Sequence, residues 1–156
     1  MDNRTRLIHD LRAARQEMRT AASQIDRDRE IYPGWTIKHV LAHIAGWDDA
    51  IIASLRAHAG GEEPGTPATE GINFYNAQSV ATRQELDYEH IAREWEVSRN
   101  ELEEVLREMP AARFEETLLF PWGETGTIAY LVHIFEHHER EHAQEIRELL
   151  AGPAAG

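Results

Sequence analysis

The sequence predicts an all-α fold, a four-helix bundle with a long crossover between its second and third helices. Three observations carry this. Four long stretches place apolar residues at three- and four-residue steps, no stretch alternates convincingly as a strand, and two connections are too long for tight hairpins. With 156 residues, the chain has the length of a single domain built around one core, so one domain is expected over residues 1–156.

In the first thirty residues Leu7, Leu11, Ala14, Met18, Ala22 and Ile25 fall on one helical face with Arg, Asp and Glu between them. This helix should end before Tyr32-Pro33-Gly34, where Pro and Gly break it. A second helix is expected to start at Trp35-Thr36, with Thr36 as its cap and Ile37, Leu41, Ile44, Ile51 and Leu55 as its stripe, and to stop near Gly60-Gly61. Residues Gly60 to Gly71 hold four glycines and two prolines and read as an exposed crossover. After a weakly helical stretch from Ile72, the residues from Asp87 onward form a third helix with Ile91, Trp95, Ser98, Leu102, Val105, Leu106 and Met109 inward, ended by Pro110. Ala111 to Gly126 is irregular and includes the turn-forming run Phe120-Pro121-Trp122-Gly123. The last helix runs from about Thr127 to Leu150, where Gly152-Pro153 stops it.

Composition narrows the function. A formal charge of −12, from 28 acidic against 16 basic residues, argues against a nucleic-acid partner, which needs clustered Lys and Arg. Without cysteine there is no disulfide, no thiolate metal site and no Cys nucleophile. The first residues lack an apolar signal core and no apolar run reaches a membrane span, so a cytoplasmic protein without a membrane partner is expected. Nine histidines stand out, four of them between His133 and His142.

At about 100° per residue, Leu131, Val132, Phe135, Ile146, Leu149 and Leu150 share one face of the last helix. His138 and His142 fall inside that stripe, one turn apart, whereas His133 and His137 point roughly the opposite way. Two imidazoles so spaced can ligate one ion. His43, at the edge of the second helix's stripe between Val40 and Trp47, is the natural third ligand, while His39 sits further toward solvent. His43, His138 and His142 therefore form a candidate site for one divalent transition metal, Zn, Ni, Fe or Co, among which residue types do not choose. For any single histidine the plain alternative is a packed structural residue; three converging inward carry more weight, because buried imidazoles need partners. Glu139 lands beside the two inward histidines, as a catalytic base toward water or as an ordinary charged residue at the stripe's edge. The run His138-Glu139-Arg140-Glu141-His142 also spells the zincin HExxH pattern, but no third zincin ligand follows and no strand precedes the helix.

The segment Gly34-Trp35-Thr36-Ile37-Lys38-His39-Val40-Leu41-Ala42-His43-Ile44-Ala45-Gly46-Trp47, together with His138-x₃-His142, resembles the DinB-like superfamily of metal-binding four-helix bundles, which includes thiol-dependent isomerases and transferases. Ile72-Asn73-Phe74-Tyr75-Asn76, the long helix after Asp87 and the run His138 to His142 look nearest to the ClbS/DfsB branch, associated with protection against reactive natural products. Carried over residue by residue, the family's metal histidines fall on His43, His138 and His142. The resemblance implies a metal-dependent hydrolase or thiol-dependent transferase acting on a small molecule, and possession of a whole triad departs from ClbS/DfsB members that lack it. The alternatives are a metal-independent protein of ClbS/DfsB type that binds or hydrolyses a reactive natural product, with Trp47, Trp95, Phe74, Tyr75 and Trp122 lining its pocket, or a purely structural metal. Ser98 reads as a small packing residue. A homodimer is expected from the way such bundles pair.

Overall fold

The computed structural model describes residues 2–152. Four long helices form the bundle: α1 (Asn3–Gln24), α2 (Ile37–Ala59), α4 (Tyr88–Glu108) and α6 (Ile128–Ala151). Between them lie the short helices α3 (Ile72–Ala81) and α5 (Ala111–Phe114) and a two-stranded antiparallel ribbon, β1 (Leu118–Leu119) and β2 (Thr125–Gly126). Helix α1 packs chiefly on α6, and α2 chiefly on α4.

The starts of the helices follow from their caps. Asp2, Asp87 and Thr127 accept hydrogen bonds from the amides of Thr5, His90 and Tyr130, which satisfies donors that the first turn leaves free. Thr36 caps α2 as expected, with an added partner: its own amide donates to His39 Nδ1 at 3.0 Å. Gly152, with φ at +73°, ends α6; Pro153, the other half of the expected stop signal, lies outside the described residues.

Three elements differ from the sequence expectation. Helix α1 stops at Gln24, because Ile25 is extended and the Asp26 carboxylate accepts from the amide of Asp28, a local turn that competes with the helix. Tyr32 and Trp35 then pair across a tight turn at Pro33-Gly34, where Gly34 takes φ +79°. The stretch after Ile72 is a full ten-residue helix, seated on α2 where Gly46 lacks a side chain: a Cβ there would stand 2.5 Å from Ser79 Oγ. The irregular segment before α6 contains the ribbon, with Leu118 opposite Gly126. It is joined to the crossover by the Ala68 amide, which donates to the Pro121 carbonyl at 3.0 Å.

The core divides into two apolar clusters. One gathers Leu11, Ile51, Leu55, Leu102, Leu106, Ile128, Leu131 and Phe135; the other gathers Met18, Ile37, Leu41, Ile91, Trp95, Ala143 and Ile146. Each long helix crosses the boundary with one charged residue: Arg15 on α1, Asp48 on α2, Arg99 on α4 and Glu139 on α6, all at most 3% exposed. No helix among the described residues is long and apolar enough to cross a membrane.

Candidate metal centre

Helices α2 and α6 bring His43, His138 and His142 together. The Nε2 atoms of His43 and His138 are 3.2 Å apart, and those of His138 and His142 are 2.9 Å apart. Nitrogens each about 2.0–2.1 Å from a zinc ion at a tetrahedral angle would be separated by roughly 3.3 Å, so the three rings stand close to the spacing a single ion imposes. Burial drives the His43 pKa down to about 3, helped by repulsion from His138 and His142. Burial also takes His138 and His142 down to about 4. Neutral imidazoles with free lone pairs are the form that binds metal. Nδ1 of His43 is buried without a hydrogen-bond partner, while Nε2 is the ring nitrogen turned toward His138.

The tight turn after α1 contributes to the same place. Tyr32 Oη lies 2.7 Å from His142 Nδ1, and Trp35 packs its ring 5.3 Å from that of His43. With His142 Nε2 turned to an ion, its Nδ1–H donates to Tyr32 Oη and the ring is fixed in one orientation. Burial and the neighbouring Glu145 hold the Tyr32 hydroxyl protonated, well above its ordinary pKa. Sequence reading passed over Tyr32 because its contact is with a residue far along the chain.

Glu139 is buried near His138 and not at the stripe's edge. Both of its oxygens are occupied: Oε1 accepts from Arg15 Nε at 2.8 Å, and Oε2 accepts from Arg15 Nη2 at 2.9 Å and Arg99 Nη2 at 3.2 Å. Asp48 completes the layer, accepting from Arg15 Nη2 at 2.9 Å, Arg99 Nη2 at 3.1 Å and Ser98 Oγ at 2.9 Å. Burial alone would raise the Asp48 carboxyl, but Arg99 and Arg15 outweigh it and hold it below the usual range. Two guanidiniums thus face two carboxylates in the middle of the bundle, and Glu139 has no free oxygen to serve as a base toward water at the histidines. Ser98 is a packing residue, as expected, that also anchors Asp48.

His133 and His137 are exposed on the outer face of α6, as the helical phase predicts. His39 caps α2 instead of approaching the cluster.

A cavity of about 190 Å³ opens beside the triad. His43 and His138 form one wall; Trp47, Trp122, Phe135, Ile134, Ile72 and Asn76 form the rest. Of the aromatics expected there, Trp47 and Trp122 line it, and Tyr75 braces Trp47 from behind with ring centroids 4.5 Å apart. Trp95 instead lies in the core under the Arg15 guanidinium, and Phe74 is about half exposed on α3. The larger groove of about 510 Å³ between α1 and α4 is lined by Arg12, Arg15, Arg19 and Arg99, each already paired with a carboxylate.

A family model described as the mycothiol maleylpyruvate isomerase N-terminal domain matches residues 5–134. The chain belongs to this family. It thereby falls within the DinB-like superfamily that its motifs resemble; the matched stretch includes His43 and ends before His138 and His142. Among solved structures, the chain is similar to the mycothiol-dependent maleylpyruvate isomerase, at 19% identity and a TM-score of 0.76 over 94% of this chain and 61% of that one. A variant of the same isomerase with a single His-to-Ala replacement gives 16% identity and 0.77 over the same shares. YfiT from Bacillus subtilis, described as a probable metal-dependent hydrolase with an unusual four-helix bundle topology, gives 16% identity and 0.72 over 94% of this chain and 85% of that one. The chain thus spans about three-fifths of the isomerase's length, and these likenesses establish the fold. No curated protein sequence matches it.

Proposed function

We propose that this chain is a metal-dependent enzyme acting on a small molecule, a hydrolase or a thiol-dependent transferase, with His43, His138 and His142 holding one divalent transition ion. The observation that carries the reading is the convergence of three neutral imidazoles, through Nε2, at the wall of an apolar cavity. A purely structural ion would not need such a cavity beside it. When bound, the ion supplies Lewis acidity, lowering the pKa of a water or an external thiol. The protein's own part is positional. Tyr32 orients His142, Trp35 packs against His43, and Trp47, Trp122 and Phe135 exclude bulk water from the reacting group. Since both Glu139 oxygens are tied to arginines, proton transfer falls to the substrate, solvent or a cosubstrate rather than to that carboxylate.

Resemblance to YfiT, described as a probable metal-dependent hydrolase, supports a metal-centred reading, resemblance to a mycothiol-dependent isomerase supports an external thiol, and the residue pattern near Ile72 supports the metal-independent ClbS/DfsB alternative. The aromatic cavity wall would suit sequestration of a small apolar group of a natural product. Elemental mass spectrometry of the protein purified without chelators, beside His138→Ala, separates the two. One transition metal per chain in the first and none in the second is expected. No metal in either after reconstitution with Zn, Ni, Fe and Co overturns the triad and leaves the protective reading. The proposal carries with it a cytoplasmic homodimer, to be read by cell fractionation and sedimentation velocity.

A further inference from the structure

We propose that the cavity beside the histidines selects a small, uncharged, mainly apolar molecule, one ring with a short substituent, that presents a hydrogen-bond acceptor to the side-chain amide of Asn76. The inference deepens the metal-centre reading and rests on it for where the reacting group lies, although the cavity walls stand without the ion.

Size comes first. An apolar cavity of about 150 Å³ accommodates benzene, whereas drug-sized ligands occupy about 300–1,000 Å³. At about 190 Å³ this cavity encloses one six-membered ring and little more, so a bulky cosubstrate would have to stay outside its mouth. The walls set polarity. Trp47, Trp122 and Phe135 form three mutually packed sides, with ring centroids 5.6 to 6.1 Å apart, and Ile72 and Ile134 close the remainder. No Lys, Arg, Asp or Glu is among the lining residues, so a dicarboxylate would shed its hydration there without a protein counter-charge.

Asn76 sets orientation. Its Oδ1 accepts from Trp47 Nε1 at 2.6 Å, and because an indole nitrogen can only donate, that contact fixes which end of the amide is oxygen. Beyond Trp47 the one polar neighbour of the Asn76 amide is the His43 ring, and among the described residues no protein oxygen accepts from Nδ2, so its N–H groups stay available on the cavity side of the wall. A ligand acceptor such as a carbonyl or amide oxygen satisfies it and so brings that group to the side of the cavity that His43 and His138 form.

The test is calorimetric titration of the full chain, metal-free and zinc-loaded, with benzamide, toluene and fumarate as probes. Benzamide and toluene are expected to bind the metal-free protein one to one, and fumarate is not. Asn76→Asp keeps the oxygen for Trp47 and removes the donor; it should weaken benzamide at least tenfold and leave toluene within about twofold. Ile72→Trp, at a half-exposed position that need not disturb the fold, should block both aromatics. Fumarate binding the metal-free protein as well as benzamide, or benzamide indifferent to Asn76→Asp, overturns the proposal. So does the absence of aromatic binding in a protein folded by circular dichroism. Metal uptake without benzamide binding overturns this inference alone, and benzamide binding without metal uptake overturns the metal reading alone.

Discussion

Replacing Asp48 with Asn would test whether the charged layer holds the bundle together. Asp48 is wholly buried and accepts from two guanidiniums and the Ser98 hydroxyl. The amide is nearly isosteric, so little packing is lost, but two guanidiniums then share one carboxylate and a net positive charge stays buried. One of the two side-chain ends also becomes a donor facing donors. Breaking a buried pair in this way costs about 3–5 kcal/mol, against a total stability of about 5–15 kcal/mol for a domain. With a urea slope of about 2 kcal/mol per M, the unfolding midpoint should fall by about 1.5–2.5 M. The companion variant Arg15→Met leaves Arg99 to balance both carboxylates, and the double variant restores neutrality with Arg99 and Glu139. Its cost should therefore fall short of the sum of the singles by at least about 1 kcal/mol in a double-mutant cycle. An Asp48→Asn midpoint within about 0.5 M of the parent, or additive singles, would refute the claim that these four residues act as one balanced unit.

Tyr32→Phe removes only the hydroxyl beside His142 Nδ1 and should weaken zinc affinity about 10–100-fold in a competition titration while the circular dichroism spectrum is unchanged; equal affinity would show that Tyr32 does not orient the ligand. Acid should destabilise the metal-free protein early. His43, His138 and His142 titrate at about 3, 4 and 4 when folded, against about 6.5 unfolded, so between those values the unfolded chain binds more protons. Stability is then full above pH 6.5 and falls as the pH drops through 6 to 5, by up to about 1.4 kcal/mol per pH unit for each ring. Urea curves at pH 7, 6 and 5 read the slope; His43→Gln should reduce it, and a flat profile in the parent would contradict the burial argument. Gly46→Ala should destabilise by about 1–3 kcal/mol despite the gain of roughly 1 kcal/mol in helix propensity, because its Cβ would meet Ser79. Adding Ser79→Gly should relieve that strain, and no relief would mean that α3 is not seated through this contact.

Helix faces and most helix boundaries are local properties, and here they were legible; the end of α1 at Gln24 was the exception. The periodicity around Leu11, Leu41, Leu102 and Leu131, the cap at Thr36 and the helix starts near Asp87 and Thr127 were enough for four long helices with their buried faces. The one-turn spacing of His138 and His142 inside an apolar stripe, with His133 and His137 outside it, followed from the same 100° step. Even the charged layer had a visible trace. Arg15 lies four residues after Leu11 and three before Met18, Asp48 four after Ile44 and three before Ile51, and Arg99 four after Trp95 and three before Leu102, each inside a stripe. A charge in a stripe signals that burial has been compensated, but the sequence does not say by whom.

That choice of partner is what tertiary structure decided. Glu139 sits next to His138 in sequence, yet the side chains of α1 and α4 claim both its oxygens, since a buried carboxylate gains more from two guanidiniums than from a neutral ring. Tyr32 reaches His142 across 110 residues, and Asn76 reaches Trp47 only because Gly46 lets α3 settle on α2. Helical periodicity is fixed by bonds between residues four apart and so is written in short stretches. Which side chain completes a metal ligand, balances a charge or closes a cavity depends on how the helices pack, and no short stretch contains that.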